Sequence, residues 1–185
     1  MKNIGLVIAH TTSLSGAKNS EYNVTENEYS RVLVTMIADL IESKYQGKYS
    51  PVIIERPEPN HWRGEIDAIN STPALACVVS LHANAYNKQI AGCEMLYWKD
   101  STKGKRLAQL LQDATYAVLR NPDRGIKGLD DGDRGVFIVR DTYPPTVVAE
   151  PFFIDNRVEW ENYVNKQKAL AHSILDAIIT FIEEK

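Results

Sequence analysis

The stretch Cys77-Val78-Val79-Ser80-Leu81 is apolar, rich in β-branched residues, and stops at His82. A short run without polar alternation reads as a strand covered on both faces, and such strands belong to sheets sandwiched between helices. Ile4 to Ala9 is a second run of this kind, ending at His10, and Thr146 to Ala149 is a third, ending at Glu150. In open α/β sheets ligands collect at the carboxyl ends of the strands, where a rigid framework holds exposed loops.

The intervening segments change period. Tyr29, Val32, Leu33, Met36, Ile37, Leu40 and Ile41 recur at helical spacing, which predicts an amphipathic helix starting near Glu26. Thr25 and Glu28 form its capping box, leaving Glu26 in the first turn, where the helix dipole favours an anion. Pro51 to Glu55 reads as a strand, Arg56 to Asn60 as a Pro-rich turn, Trp62 to Asn70 as a short helix and Gly92 to Trp98 as a further strand. Ser101 opens a helix whose apolar face is Leu107, Leu110, Leu111, Ala114 and Val118. Asn121 to Gly135, with its four glycines, reads as a long functional loop, and Val136 to Val139 as a strand. Asn156 and Glu159 cap a C-terminal helix built on Ala171, Ile174, Leu175, Ile178, Phe181 and Ile182. Strands alternating with helices predict a single α/β domain over residues 1–185. Its sheet is expected to be mainly parallel, with about six strands and helices on both faces.

A formal net charge of -3, with no basic stripe, argues against nucleic acid as a partner and equally against a membrane surface. No stretch approaches the ~18 apolar residues of a spanning helix, and the first apolar run stops at His10 without a cleavage site, so it reads as a core strand. Cys77 and Cys93 both lie in apolar runs and are expected as reduced core thiols.

Strand ends at a common edge are neighbours, so His10, His82 and Glu150 are expected to converge, with Glu26 joining them from the helix start. Two imidazoles and a carboxylate are a three-ligand set for catalytic zinc, leaving a fourth position for water. A further carboxylate, off the metal, is needed to move the proton. Glu26 and Glu150 would divide those tasks.

The order His10, Glu26, Ser80-Leu81-His82-Ala83-Asn84-Ala85 and Val147-Val148-Ala149-Glu150-Pro151-Phe152-Phe153-Ile154-Asp155-Asn156 resembles the zinc-dependent N-acetylmuramoyl-L-alanine amidases of the amidase 3 type, which act on peptidoglycan. Arg124-Gly125-Ile126-Lys127 is similar to that family's Arg-Gly-Val-Lys element, and Val139-Arg140 also precedes a proline before the glutamate strand. The flank Ala9-His10-Thr11-Thr12 departs from the family's Gly-His-Gly-Gly. The resemblance implies that His10, Glu26 and His82 hold Zn2+ and that Glu150 is general base and acid. Arg140 and Asn84 are candidates for a substrate or oxyanion contact.

The expected function is therefore hydrolysis of the amide between N-acetylmuramic acid and L-alanine, by a monomer. Its setting is expected to be that of a phage-type endolysin, held in the cytoplasm of the producing or infected bacterium until holin-type release. A non-catalytic peptidoglycan-binding descendant and a zinc peptidase on stem peptides are the alternatives. Glu28 is assigned to capping, Glu21 is a weaker competitor for the ligand role, and His61 and His172 are expected to be exposed. Asp130-Asp131-Gly132-Asp133 lacks the ligand spacing of a calcium loop and reads as a solvated turn.

Overall fold

The computed structural model describes residues 1–58 and 62–184, so His61 and the end of the Pro-rich turn lie outside the described residues. In chain order the elements are β1 Lys2–Ile8, β2 Lys18–Asn19, β3 Val24–Thr25, α1 Glu26–Lys44, β4 Tyr49–Glu55, α2 Trp62–Ser71, β5 Leu75–Leu81, β6 Cys93–Trp98, α3 Thr102–Leu119, β7 Asp123–Leu129, α4 Val136–Arg140, β8 Thr146–Glu150 and α5 Arg157–Glu183. Six strands make one sheet in the order β4-β1-β5-β8-β6-β7, while β2 and β3 pair as a short antiparallel ladder within the loop after β1.

The strands β4, β1, β5 and β8 are mutually parallel. The pair β6 and β7 runs the other way, antiparallel to β8. The residues that begin β6 and β7 therefore arrive at the edge where β1, β5 and β8 end.

Alternation along β1 shows why its run is continuous. Ile4, Leu6 and Ile8 pack with α1 and α5 residues such as Leu33, Ile37, Ile174 and Ile178, whereas Val7 joins Ile54, Ile69 and Val78 on the opposite face. Both faces are thus removed from water, the condition for a strand without polar alternation. The helix starts follow local chemistry: Thr25 and Glu28 form the expected capping box on α1, Ser101 caps α3, and the Asn156 side chain accepts from Val158 and Glu159 on α5.

Two expectations are corrected. Val136 to Val139 is not a strand but most of α4, entered through Gly135 at φ 80°. The buried pair Val136 and Val139 has the i, i+3 spacing of a helix face, packing on Leu129 and Val148, while Phe137 between them is exposed. The sixth strand lies instead inside the stretch read as a loop: Asp123–Leu129 is an edge strand, exposed over much of its length, so it carries no apolar run to betray it. The irregular parts of that stretch are Asn121-Pro122 and the turn over 130–135. Cys77 and Cys93 are free and buried, and β8 separates their strands. Burial pushes the Cys77 thiol up to about 12, and burial together with Asp123 pushes Cys93 up to about 11.

Candidate metal centre and its cleft

The loops leaving β1 and β5 bring His10 and His82 to the first turn of α1. His10 Nε2 lies 3.0 Å from Glu26 Oε2, and His82 Nδ1 lies 2.8 Å from Glu26 Oε1. The two rings meet edge to face with centroids 5.1 Å apart, and one donor atom from each of the three residues falls within 4.8 Å of the others. Glu26 is only 4% exposed, yet both its oxygens are also held by backbone donors, Ala17 N–H at 3.0 Å and Ala83 N–H at 3.2 Å. Burial acts to raise this carboxyl, but the hydrogen bonds from His10 and His82 overcome it and hold the group far below the usual carboxylate range. The result is a fixed anion flanked by two imidazoles, a donor set that suits a divalent metal ion.

His10 adopts φ 61°, a left-handed conformation rare outside glycine. Helix α1 secures it from below: Ala9 N–H donates to Ser30 Oγ at 2.9 Å, and Asn27 Nδ2 donates to the Ala9 carbonyl at 2.9 Å. The Thr-Thr flank has its own task, because Thr12 Oγ1 and Ser13 N–H donate to Glu58 at 2.8 and 3.1 Å and so tie the loop after β1 to the loop after β4. Gly16 passes directly over the donors. A Cβ there would lie 2.4 Å from His10 Cδ2 and 2.5 Å from Glu26 Oε2.

Glu150, at the end of β8, lines the same cleft of about 800 Å³ as these three residues. The residue is half-buried, but its Oε2 is enclosed and has no hydrogen-bond partner among the described residues. Burial, followed by the charges of Glu26 and Glu94, pushes its carboxyl well above the usual range. The backbone after Glu150 is knitted to that after His82: Asn84 N–H donates to the Phe152 carbonyl at 3.0 Å and Ile154 N–H to the Asn84 carbonyl at 2.8 Å. Beneath, Phe152 packs against Tyr29 and Tyr163 at ring distances of 4.9 and 4.8 Å. These contacts give the two characteristic sequence segments one shared scaffold.

Residues 4–180 match the family described as N-acetylmuramoyl-L-alanine amidase, amidase 3 type. The chain belongs to that family. A curated relative, an uncharacterized cell wall amidase of Bacillus anthracis, is 28% identical over 118 residues, which is 58% of this chain and 21% of the relative. The chain thus spans about a fifth of the length of that relative. The fold is similar to that of N-acetylmuramoyl-L-alanine amidase from Clostridium difficile 630, with a TM-score of 0.86 and 20% identity over 100% of this chain and 98% of that one. It is similar also to the catalytic domain of the CD27L endolysin targeting Clostridia Difficile, with a TM-score of 0.77 and 23% identity over 97% of this chain and 98% of that one.

In this amidase-family domain the remaining candidates take different places. Asn84 lines the cleft, but its Nδ2 donates to Glu94 Oε1 at 2.9 Å. Arg140 is held by Asp131 and Asp141, at 2.6 Å each, and sits over the Phe137 ring rather than along the cleft lining. His172 is exposed beside Lys44, and Glu21 is exposed and paired with Arg157. Sequence reasoning passed over Glu94. This carboxylate is the second residue of β6, is buried, and takes Arg124 Nε at 2.7 Å together with Lys127 Nζ. Its signal was an acidic residue inside an apolar strand, and only the antiparallel direction of β6, a tertiary fact, brings it to this edge.

Proposed function

We propose that the chain is a zinc-dependent N-acetylmuramoyl-L-alanine amidase, hydrolysing the amide between N-acetylmuramic acid and L-alanine of peptidoglycan. One observation carries this reading: the His10, Glu26 and His82 donors, within 4.8 Å of one another, share a cleft with the enclosed, partnerless Oε2 of Glu150. His10, Glu26 and His82 would hold the ion, and the Gly16 backbone leaves the space above them that a side chain would fill. Zinc bound there supplies Lewis acidity and lowers the pKa of a coordinated water toward about 7.

The protein's own part is proton handling and positioning. Glu150 accepts the proton of the attacking water and returns it to the alanine nitrogen as the amide breaks, so that the amine leaves neutral. A carboxyl held above its ordinary range suits the second step, since it gives the proton up only to a stronger base. Asn84 orients Glu94, and Arg140 steadies the turn before α4.

The likeness to an endolysin catalytic domain supports a lysin-type setting for this activity. The test is turbidity loss of purified cell walls together with zinc content. The parent should hold about one zinc and clear walls, whereas Glu150→Gln should hold zinc and clear none. A parent that holds zinc and leaves walls intact contradicts the proposal.

A further inference from the structure

Two arginines line the cleft, Arg56 and Arg134. Arg56 is committed, its Nε lying 2.6 Å from Glu65 Oε2. Arg134 is exposed and makes no hydrogen bond or ion pair with any described residue. That is unexpected from its neighbours, because three aspartates precede it in the same turn. Each is occupied elsewhere: Asp130 with Lys99 at 2.8 Å, Asp131 with Arg140 at 2.6 Å, and Asp133 with the Asp130 N–H at 2.7 Å. Other cations near this edge are ion-paired, Arg124 and Lys127 sharing Glu94. A guanidinium that makes no hydrogen bond or ion pair with any described residue, in the same cleft as the metal-ligand set, is placed to take an anion from the ligand.

We propose that Arg134 forms a carboxylate-binding subsite that selects substrates by an acidic group on the peptide side of the scissile amide. The inference rests on the amidase reading above. In a muramyl peptide the residue after L-alanine is joined through its side-chain carboxyl, which leaves its α-carboxyl as the free acid or as a carboxamide. That group lies within one residue of the bond to be cut. A guanidinium pairs with the acid through two parallel N–H donors and cannot do so with the amide. Arg134 is not built as an oxyanion stabiliser. Such groups are preorganised and shielded from water, whereas this side chain is exposed and unheld. Its effect belongs to ground-state capture, and its charge also draws the Glu150 carboxyl part of the way back down.

The test uses two synthetic muramyl dipeptides whose terminal D-glutamyl side-chain carboxyl is capped as an N-methylamide, one with a free α-carboxyl and one with an α-carboxamide. Hydrolysis is followed for the parent, Arg134→Gln and Arg134→Lys, and binding by calorimetry in the Glu150→Gln background. The parent should favour the acid roughly two- to fivefold through KM, as expected for a charge pair at an exposed site. Arg134→Gln should erase the preference by weakening the acid alone, Arg134→Lys should keep part of it, and added salt should shrink it. Equal loss on both dipeptides, a loss confined to kcat, or an undiminished preference in Arg134→Gln overturns the inference. Should neither dipeptide be cut while binding still discriminates through Arg134, the amidase reading fails and the subsite stands.

Discussion

Glu94 and Glu150 are register partners across the antiparallel pair β6 and β8, and among the described residues only Glu94 is ion-paired. Glu94 is held by Arg124 and Lys127, whereas Glu150 keeps an enclosed oxygen without a partner among the described residues. The reversal of β6 relative to β8 creates this opposition, which a fully parallel sheet would not place at the reacting edge.

The opposition should be visible in a pH profile. Burial is the main cause of the raised Glu150 carboxyl, and the Glu94 charge adds to it. Glu94→Gln removes that charge and releases Arg124 and Lys127, and both changes favour ionised Glu150. Since the base must be ionised, the acidic limb of the rate profile should move to lower pH, by roughly half a pH unit. An unmoved limb contradicts the coupling.

Glu150 should also be a stability liability in the metal-free protein. A carboxyl whose folded pKa lies above its unfolded value favours folding below the unfolded pKa, and that advantage is lost as pH rises through the folded one. Glu150→Gln should therefore raise the Tm at pH 7 by roughly 2–4 °C, about 1 kcal/mol, and by nothing below about pH 4. Thermal melts at the two pH values check this. A variant less stable at pH 7 speaks against a disfavoured buried charge.

Gly16→Ala tests the roof of the centre. Its Cβ would meet His10 and Glu26 at 2.4 and 2.5 Å, and the residue sits at φ 76°. The fold should survive with about 1–2 kcal/mol of lost stability, while zinc affinity falls at least roughly tenfold. Competition against a chromophoric chelator measures the affinity, and parent-like binding would show that the loop moves aside.

Asn27→Ala addresses the support of His10. Losing the bond to the Ala9 carbonyl should loosen the left-handed backbone at His10 and reduce zinc affinity by roughly tenfold. Far-ultraviolet dichroism should stay unchanged. Undiminished affinity would assign His10's placement to Ser30 and the loop alone.

What the sequence reveals follows burial. The strands ending in His10, His82 and Glu150 are covered on both faces and announce themselves as apolar runs, and the α1 start is legible because Thr25 and Glu28 use local chemistry. Strand β7 is hidden because it lies at an edge, and α4 because its five residues are too few for periodicity to separate from a strand. Glu94 and Arg134 reach the cleft only through the direction of β6 and the pairing of the aspartates, which are tertiary facts without a local signature.

The central claim is which bond is cut. Purified peptidoglycan digested by the parent should release stem peptides with a free L-alanine amino terminus on mass analysis, and glycan with an unsubstituted lactyl carboxylate. Chelation should stop their appearance and zinc should restore it. Peptides cut within the stem, or the same products from Glu150→Gln at parental rate, would contradict the account.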